Sequence, residues 1–498
     1  MKSLSATLNQ KFDFNISEWE QLLKQELKID QVDNKSHKKY SDLGQWPTLS
    51  LDSLKVSQLS SSSSWRKASQ SYFGQPSEGF IQEDLANGVK IFFFNSYTPL
   101  ELDTPLLEKF LDQECEVYCL NQVTTRSSHK FKTFNESQLI LARKVHDEGG
   151  SSALELAYLA SQLINNLEDS EWRIGIFLGH DIFKTIAKLR ALRLMAMRVQ
   201  QLAKVSIPFK IIALNSYRDW TIFERYSNIL RNDTQVMGAY MGAADVIQSS
   251  GYNSILELET GFVSDEHADR SSRIARNTCH ILALESMLGV VEDPASGSYH
   301  LEGLSQKYAQ ISWELMQEYL KSSNPEEFLE QKLQEQKNYR TQRLKTRKDL
   351  MAGINDFPDV KEKLAVKLAP KFYRSAYIFE ELRLRVGKIK RLPRVEIHLK
   401  GQYAGLSSRI NFIKNYFELI GLQVIDPLEL KQSNKDNIMV LCAQDEDYVE
   451  LAQSINHTSY FQSYIAGRLE MDGFYNIYSG QDIYAVLEKL VEKLEAIS

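Results

Sequence analysis

Parallel strands with helices packed outside them are the architecture that three stretches of this chain predict. The first, from Ile174 to Ile247, reads strand, helix, strand, helix. The second, from Lys90 to Leu167, alternates apolar and amphipathic runs less regularly. The third restarts the alternation at Val395 and carries it to the C-terminal residues. Consecutive strands joined by crossovers of a dozen or more residues run parallel, and parallel sheets need helices on their faces. The frame is therefore a (β/α) barrel or a doubly wound sheet.

The first fifty residues read as an arm. A helix opens at Ile16-Ser17-Glu18-Trp19 with Ser17 as its cap, and Trp46-Pro47-Thr48-Leu49 is extended by the proline rule. This arm has too little apolar surface to fold alone, so it is expected to lie on the body of the protein or on a partner. Ser60 to Ser64 form an exposed loop or hinge. Lys90–Phe94 and Cys115–Leu120 are strands of the buried type, Leu106–Leu111 is helical, and Leu139–Ala142 is a third strand. Glu148-Gly149-Gly150-Ser151-Ser152 leads into a helix at Leu154–Leu167. A glycine pair before a helix N-terminus is only part of a phosphate-binding pattern, since GxGxxG and a P-loop lysine are missing.

Ile174–Leu178 closes at Gly179, and Asp181 caps a helix that runs to about Val205. Pro208 precedes the strand Phe209–Leu214, a helix runs from Glu224 to Ala244, and Asp245-Val246-Ile247 is a short strand. Helices follow at Ala268–Leu288 and Leu304–Leu320, separated by the turn-rich Asp293–Tyr299. Repeated strand–helix units over this length fit a (β/α)₈ TIM-type barrel. Fewer than eight strands are legible, so the expectation covers an incomplete barrel as well as a whole one. Pro325 opens a charged helix to Leu350, whose basic end reads as a solvated face, and a helical linker continues to Arg394. From Val395 the strands Val395–Leu399, Leu422–Ile425, Ile438–Ala443, Ser463–Ala466 and Phe474–Tyr478, with helices at Arg409–Ile420 and Ile483–Ile497, fit a small flavodoxin-like sheet. The expected division is an arm at 1–50, a barrel at 51–330, a linker at 331–394 and a small domain at 395–498.

Composition excludes several functions. A net charge of −6 offers no broad basic face for nucleic acid. No apolar run approaches membrane-spanning length, and Met1–Ala6 lacks the apolar core of a secretory signal, so a cytoplasmic protein is expected. Cys115, Cys119, Cys279 and Cys442 are too few and too scattered for a disulfide framework or a zinc site, and are read as buried thiols.

Several segments taken together resemble the coenzyme-B₁₂-dependent methylmalonyl-CoA mutase family. They are Ile186-Ala187-Lys188-Leu189-Arg190-Ala191, Tyr226-Ser227-Asn228-Ile229-Leu230-Arg231, Ser272-Arg273-Ile274-Ala275-Arg276-Asn277-Thr278 and Asp293-Pro294-x-x-Gly297-Ser298-Tyr299. The likeness is good over Val145–Leu320 and looser in Ala352–Pro358 and the C-terminal domain. It implies a barrel that threads acyl-CoA along its axis, joined to a flavodoxin-like domain of the cobalamin-binding type. Two departures matter. Cobalamin-binding members carry Asp-x-His-x-x-Gly after the first strand of the small domain, whereas this loop reads Lys400-Gly401-Gln402-Tyr403-Ala404-Gly405. His398 lies within the strand and is read as structural. Catalytic members have His-x-Gln-Glu-Ala-Gly, and here Lys144-Val145-His146-Asp147-Glu148-Gly149 puts Lys144 in the histidine's place, with His146 two positions away and outside that role.

With Phe379-Glu380-Glu381-Leu382-Arg383 and Met471-Asp472-Gly473-Phe474-Tyr475, the pattern is similar to the small (beta), non-catalytic subunits of heterodimeric members of the family. The resemblance implies an isomerase component of propionate metabolism. A large partner subunit would hold adenosylcobalamin and interconvert methylmalonyl-CoA and succinyl-CoA. This chain would then carry no catalytic, cofactor-binding or metal residues and bind neither cofactor, nucleic acid nor membrane. Two alternatives stand beside it: an acyl-CoA mutase active in its own right, and a small-molecule or acyl-CoA binder using a residual barrel pocket. His180, just past a strand end, and Arg273 and Arg276 are read first as packing residues.

Overall fold

The computed structural model describes residues 68–73, 78–126, 128–260, 265–288, 291, 293–430 and 432–497. The arm at 1–50, the serine run and Trp65-Arg66-Lys67 lie outside them. Eight strands form two four-stranded parallel sheets, each in sequential order. The first holds β1 (Ala68–Phe73), β2 (Val89–Glu101), β3 (Glu116–Thr124) and β4 (Lys132–Asn135), with α1 (Glu78–Ala86) and α2 (Thr104–Phe110) in its crossovers. The second holds β5 (Ile140–Leu141), β6 (Trp172–Phe177), β7 (Phe209–Leu214) and β8 (Val246–Ile247). Its helices are α3 (Arg143–Asp147), α4 (Ser152–Asn165), α5 (Ile182–Ala203) and α6 (Ser227–Met241).

The pleat sorts side chains between two cores. Phe92, Phe94, Val117, Cys119, Ile174, Ile176, Ile211 and Ala213 pack with the helices. Their neighbours Ile91, Phe93, Tyr118, Leu120, Phe177, Ile212, Leu214 and Val246 meet in one interior cluster drawn from both sheets. Within it Phe93 stacks on Tyr118 at 5.0 Å, and Phe134 lies against the other side of Tyr118 at 5.0 Å. Large aromatic rings fill this shared cluster. Among the described residues no ladder joins β4 to β5 or β8 to β1. Gly175 is in β6 because a side chain there would run into Leu141 of β5.

Beyond β8 come α7 (Ser254–Thr260), α8 (Asp265–His280) with a π-helical turn at Ile281–Glu285, α9 (Tyr299–Lys321) and α10 (Pro325–Lys345). A linker then crosses the C-terminal ends of β6 and β7. Arg374 is fully buried between Glu259 at 3.1 Å and Glu380 at 2.7 Å, and donates to the Trp220 carbonyl. Glu380 belongs to α11 (Tyr377–Val386) and also accepts the Ile222 amide at 2.8 Å.

The C-terminal part is a five-stranded parallel sheet in the order β10-β9-β11-β12-β13, doubly wound about β9. Its elements are β9 (Val395–Leu399), α12 (Tyr403–Glu418), β10 (Val424–Ile425), β11 (Ile438–Cys442), α13 (Tyr448–Gln453), β12 (Gln462–Ile465), β13 (Tyr475–Asn476) and α14 (Ile483–Ile497). Linker residues Leu344, Met351, Ile354 and Phe379 share its core. No helix among the described residues is long and apolar enough to cross a membrane.

Candidate functional site

Strands of a parallel sheet present function at their C-terminal ends, and β6 and β7 end in a buried cluster of charged groups. Phe177, the last residue of β6, carries the His146 imidazole stacked on its ring, with centroids 4.1 Å apart and planes 12° from parallel. His146 comes from α3 and is 5% exposed. Its Nδ1 accepts from Arg218 Nη2 at 3.3 Å, because a guanidinium only donates. Nε2 therefore holds the proton and faces Ser216 Oγ at 3.1 Å. Glu155 of α4 lies 3.6 Å from Nδ1, takes the Lys188 ammonium of α5 at 2.7 Å and accepts the Phe177 amide at 3.0 Å. Lys188 also donates to the Phe177 carbonyl, and Arg218 to the carbonyls of Gly150 and His146.

Burial, reinforced by Arg218, pushes the His146 pKa down to about 3, so the imidazole is neutral at pH 7. Burial alone would raise the Glu155 carboxyl, but the Lys188 ammonium, the first of the opposing influences, holds the pKa down at about 2. Burial lowers Lys188 against the pull of Glu155, and lowers Arg218 to about 10 with help from Arg340. Asp147 is raised to about 6 because its burial outruns Arg143 and Arg218. Chemically this is a balanced network. Both imidazole nitrogens are engaged by the protein, whereas a general base needs one within reach of its substrate.

The linker roofs the cluster. The Tyr373 amide donates to the Asp147 carbonyl at 2.6 Å and the Ser375 amide to the Arg218 carbonyl at 2.8 Å. Ser375 Oγ donates to Asp219 Oδ1 at 2.7 Å, and His180 Nδ1 faces the other oxygen of the same carboxylate at 3.1 Å. His180 is thus tied to the rim of the roof, and its side chain remains 60% exposed. In the glycine–serine turn several amides are already taken. The Gly150 amide goes to the Val145 carbonyl, the Ser151 amide to Gln336 and the Leu154 amide to Ser151 Oγ.

The structure sets Lys144 and His146 on different sides of α3. Lys144 points outward, 3.1 Å from Glu326 and 3.9 Å from Glu330 of α10, and its side chain is 43% exposed. His146 is the member of the pair that enters the interior. Two residues apart on the single turn of α3, the side chains face nearly opposite ways, and the register of a glycine farther along does not settle which faces in. Arg276 braces α8 against α1 through Asp84 and through Glu83 at 3.1 Å, while Arg273 is exposed. All four cysteines are buried and outside any disulfide, with Cys119 pushed up to about 12 and Cys442 to about 11 by burial. No group of metal-ligating side chains gathers among the described residues.

At the switch point of the C-terminal sheet, Lys400 is bridged to Asp447 at 3.2 Å and Glu450 at 2.5 Å. Arg409 ties Asp445 at 3.2 Å to the Tyr448 hydroxyl at 2.9 Å. His398 sits lower in β9, turned toward Glu396 at 3.4 Å and Tyr460 at 3.3 Å. These residues do not fit a cobalt-ligating loop, since no imidazole reaches the edge from β9.

The motifs singled out in the sequence turn out to be joints. Asp293 and Glu302 grip the buried Arg190, with Ser305 at 3.3 Å. Asn228 bonds to the main chain at Thr221 and Tyr252, and Arg231 reaches the Ala352 carbonyl at 2.9 Å, so two separate motifs meet. Glu155, Arg218 and Arg374 escaped sequence reading. The signal for Glu155 was a charge inside the apolar run Leu154–Ala157.

Residues 171–381 match the family model described as Methylmalonyl-CoA mutase. The chain is 27% identical to the methylmalonyl-CoA mutase small subunit of Porphyromonas gingivalis, over 66% of this chain and 59% of that protein. It is 25% identical to the small subunit of Propionibacterium freudenreichii subsp. shermanii, over 73% of this chain and 61% of that protein. Against the methylmalonyl-CoA mutase of Rhizobium meliloti it is 31% identical over 31% of this chain and 21% of that protein. The matched part thus spans about three-fifths of the length of the two small subunits.

Proposed function

Since residues 171–381 of this chain belong to the methylmalonyl-CoA mutase family, we propose that it is a non-catalytic, stabilising small subunit of a cytoplasmic mutase heterodimer. The large subunit would hold adenosylcobalamin and interconvert methylmalonyl-CoA and succinyl-CoA. The observation that carries this reading is the filled axis. On the barrel reading an acyl-CoA would have to thread the cluster shared by the two sheets, where Phe93 stacks on Tyr118 and Phe134 lies tilted against it, and His146 below the linker is engaged at both nitrogens. Barrel, linker and flavodoxin-like domain then persist as a scaffold whose surface completes the partner. The ion pairs of Lys400 and the orientation of His398 support leaving the cobalamin to the large subunit. Radical chemistry is what that cofactor supplies, and no step of it is assigned to residues of this chain.

Co-expression with the large mutase-like protein of the same genome tests the reading. One-to-one co-elution is expected, with mutase activity that survives His146→Gln in this chain. A purified chain that alone alters the absorption spectrum of adenosylcobalamin, or turns over an acyl-CoA, would overturn it.

A further inference from the structure

Residues 361–369 of the linker lie on the segments beyond β7 and β8, and their burial alternates without a break, as along an extended chain. Glu362, Leu364, Val366 and Leu368 are half-buried, while Lys361, Lys363, Ala365, Lys367 and Ala369 are exposed. Leu364, Val366 and Leu368 pack on the cluster of Trp220, Ile255 and Leu258. Both ends are pinned. The Glu362 carboxylate accepts the Glu224 amide at 2.5 Å, and the Ala369 amide donates to Glu259 at 3.1 Å. Between the pins the main chain is unused. Residues 363–368 make no main-chain hydrogen bond among the described residues, and no described strand pairs along either edge. Lys361, Lys363 and Lys367 likewise form no ion pair there.

A held strand with unsatisfied edges is a template for another strand. We propose that residues 363–368 form a docking edge that pairs, by main-chain hydrogen bonds, with an extended acidic segment of a partner protein. Alternate side chains on an extended chain are about 7 Å apart, so carboxylates four positions apart on the added strand meet Lys363 and Lys367, with Lys361 just beyond the edge. The ladder supplies affinity, and the charges supply register and choice of partner. The site lies apart from the His146 cluster, and the proposal does not depend on the subunit role.

The test uses the full chain and a fluorescent peptide of alternating glutamate and valine. Binding is expected to protect the amides of 363–368 from hydrogen exchange. Two variants separate ladder from charge. The double charge reversal Lys363→Glu with Lys367→Glu is expected to weaken binding about tenfold or more. Ala365→Pro removes a donor that the fold itself does not use, so it is expected to keep the thermal midpoint while losing the peptide. A wild-type chain that leaves the peptide unbound overturns the proposal. So does binding that survives Ala365→Pro, which would reduce the surface to a patch of charge. Sedimentation of the free chain as a dimer that Ala365→Pro dissociates would also overturn it, by making a second copy the occupant.

Discussion

His146 and Glu155 share one buried cluster and fail over different ranges of pH. The folded pKa of His146 lies near 3, below the ordinary 6.5, so between those values the unfolded chain binds a proton that the folded chain refuses. Stability therefore falls as pH drops from 6.5 toward 3, by at most about 1.4 kcal/mol per pH unit from this group. Glu155, near 2 when folded against 4.5, adds a loss that begins below 4.5. His180 works in the other direction, since Asp219 raises its pKa and the contact is lost as pH rises through the raised value. Thermal midpoints are expected to decline steadily from pH 6.5 downward. His146→Gln should flatten that decline above pH 4.5 and, below it, leave only the smaller slope that Glu155 contributes. An unchanged slope would mean that His146 is reached by protons in the folded chain.

At the scale of elements, close approach explains residues that periodicity does not. Gly353 has φ +81°, and a side chain there would strike the Glu224 side chain, so Gly353→Ala is expected to cost about 2 kcal/mol, read from urea unfolding. Gly175→Ala drives a methyl into Leu141 and should cost about 1–3 kcal/mol, an overpacking penalty in β6. The central strands and helices were legible because their apolar periods are long and their caps are in place, as at Asp181. The legible helix at Ala268–Leu288 breaks into α8 and a π turn, and the expected start of α12 at Arg409 moves back to Tyr403. Gly405 and the pair Ser407-Ser408, weak helix formers, hid that start, and α13 is too short to show a period at all. The charged cluster was illegible for a different reason. Its members come from α3, α4, α5 and the loop after β7, and only tertiary packing gathers them.

For the whole molecule, the Arg374 triad joins the linker to the loops beyond β7, and the linker in turn shares the core of the C-terminal sheet. Removing the cation strands two buried carboxylates, so Arg374→Met is expected to cost about 3–5 kcal/mol. It should also uncouple the two halves. Every tryptophan precedes residue 314, so tryptophan fluorescence reports the first half while circular dichroism reports both. In the wild type the two unfolding curves are expected to coincide, and in Arg374→Met to separate. Coincident curves in the variant would show that other contacts carry the coupling.

The same linker sets an order in time. Glu380 meets Ile222 across 158 positions and Arg374 meets Glu259 across 115, so neither contact can form until the loops of the barrel strands are already in place. Closing such long loops is entropically costly and comes late. A ribosome releases the strap after the strands it crosses, and the roof over His146 is then the last part of this region to set. Until that moment the charges beneath it stand open to water, and a chain stalled before residue 374 would leave Glu259 without its arginine.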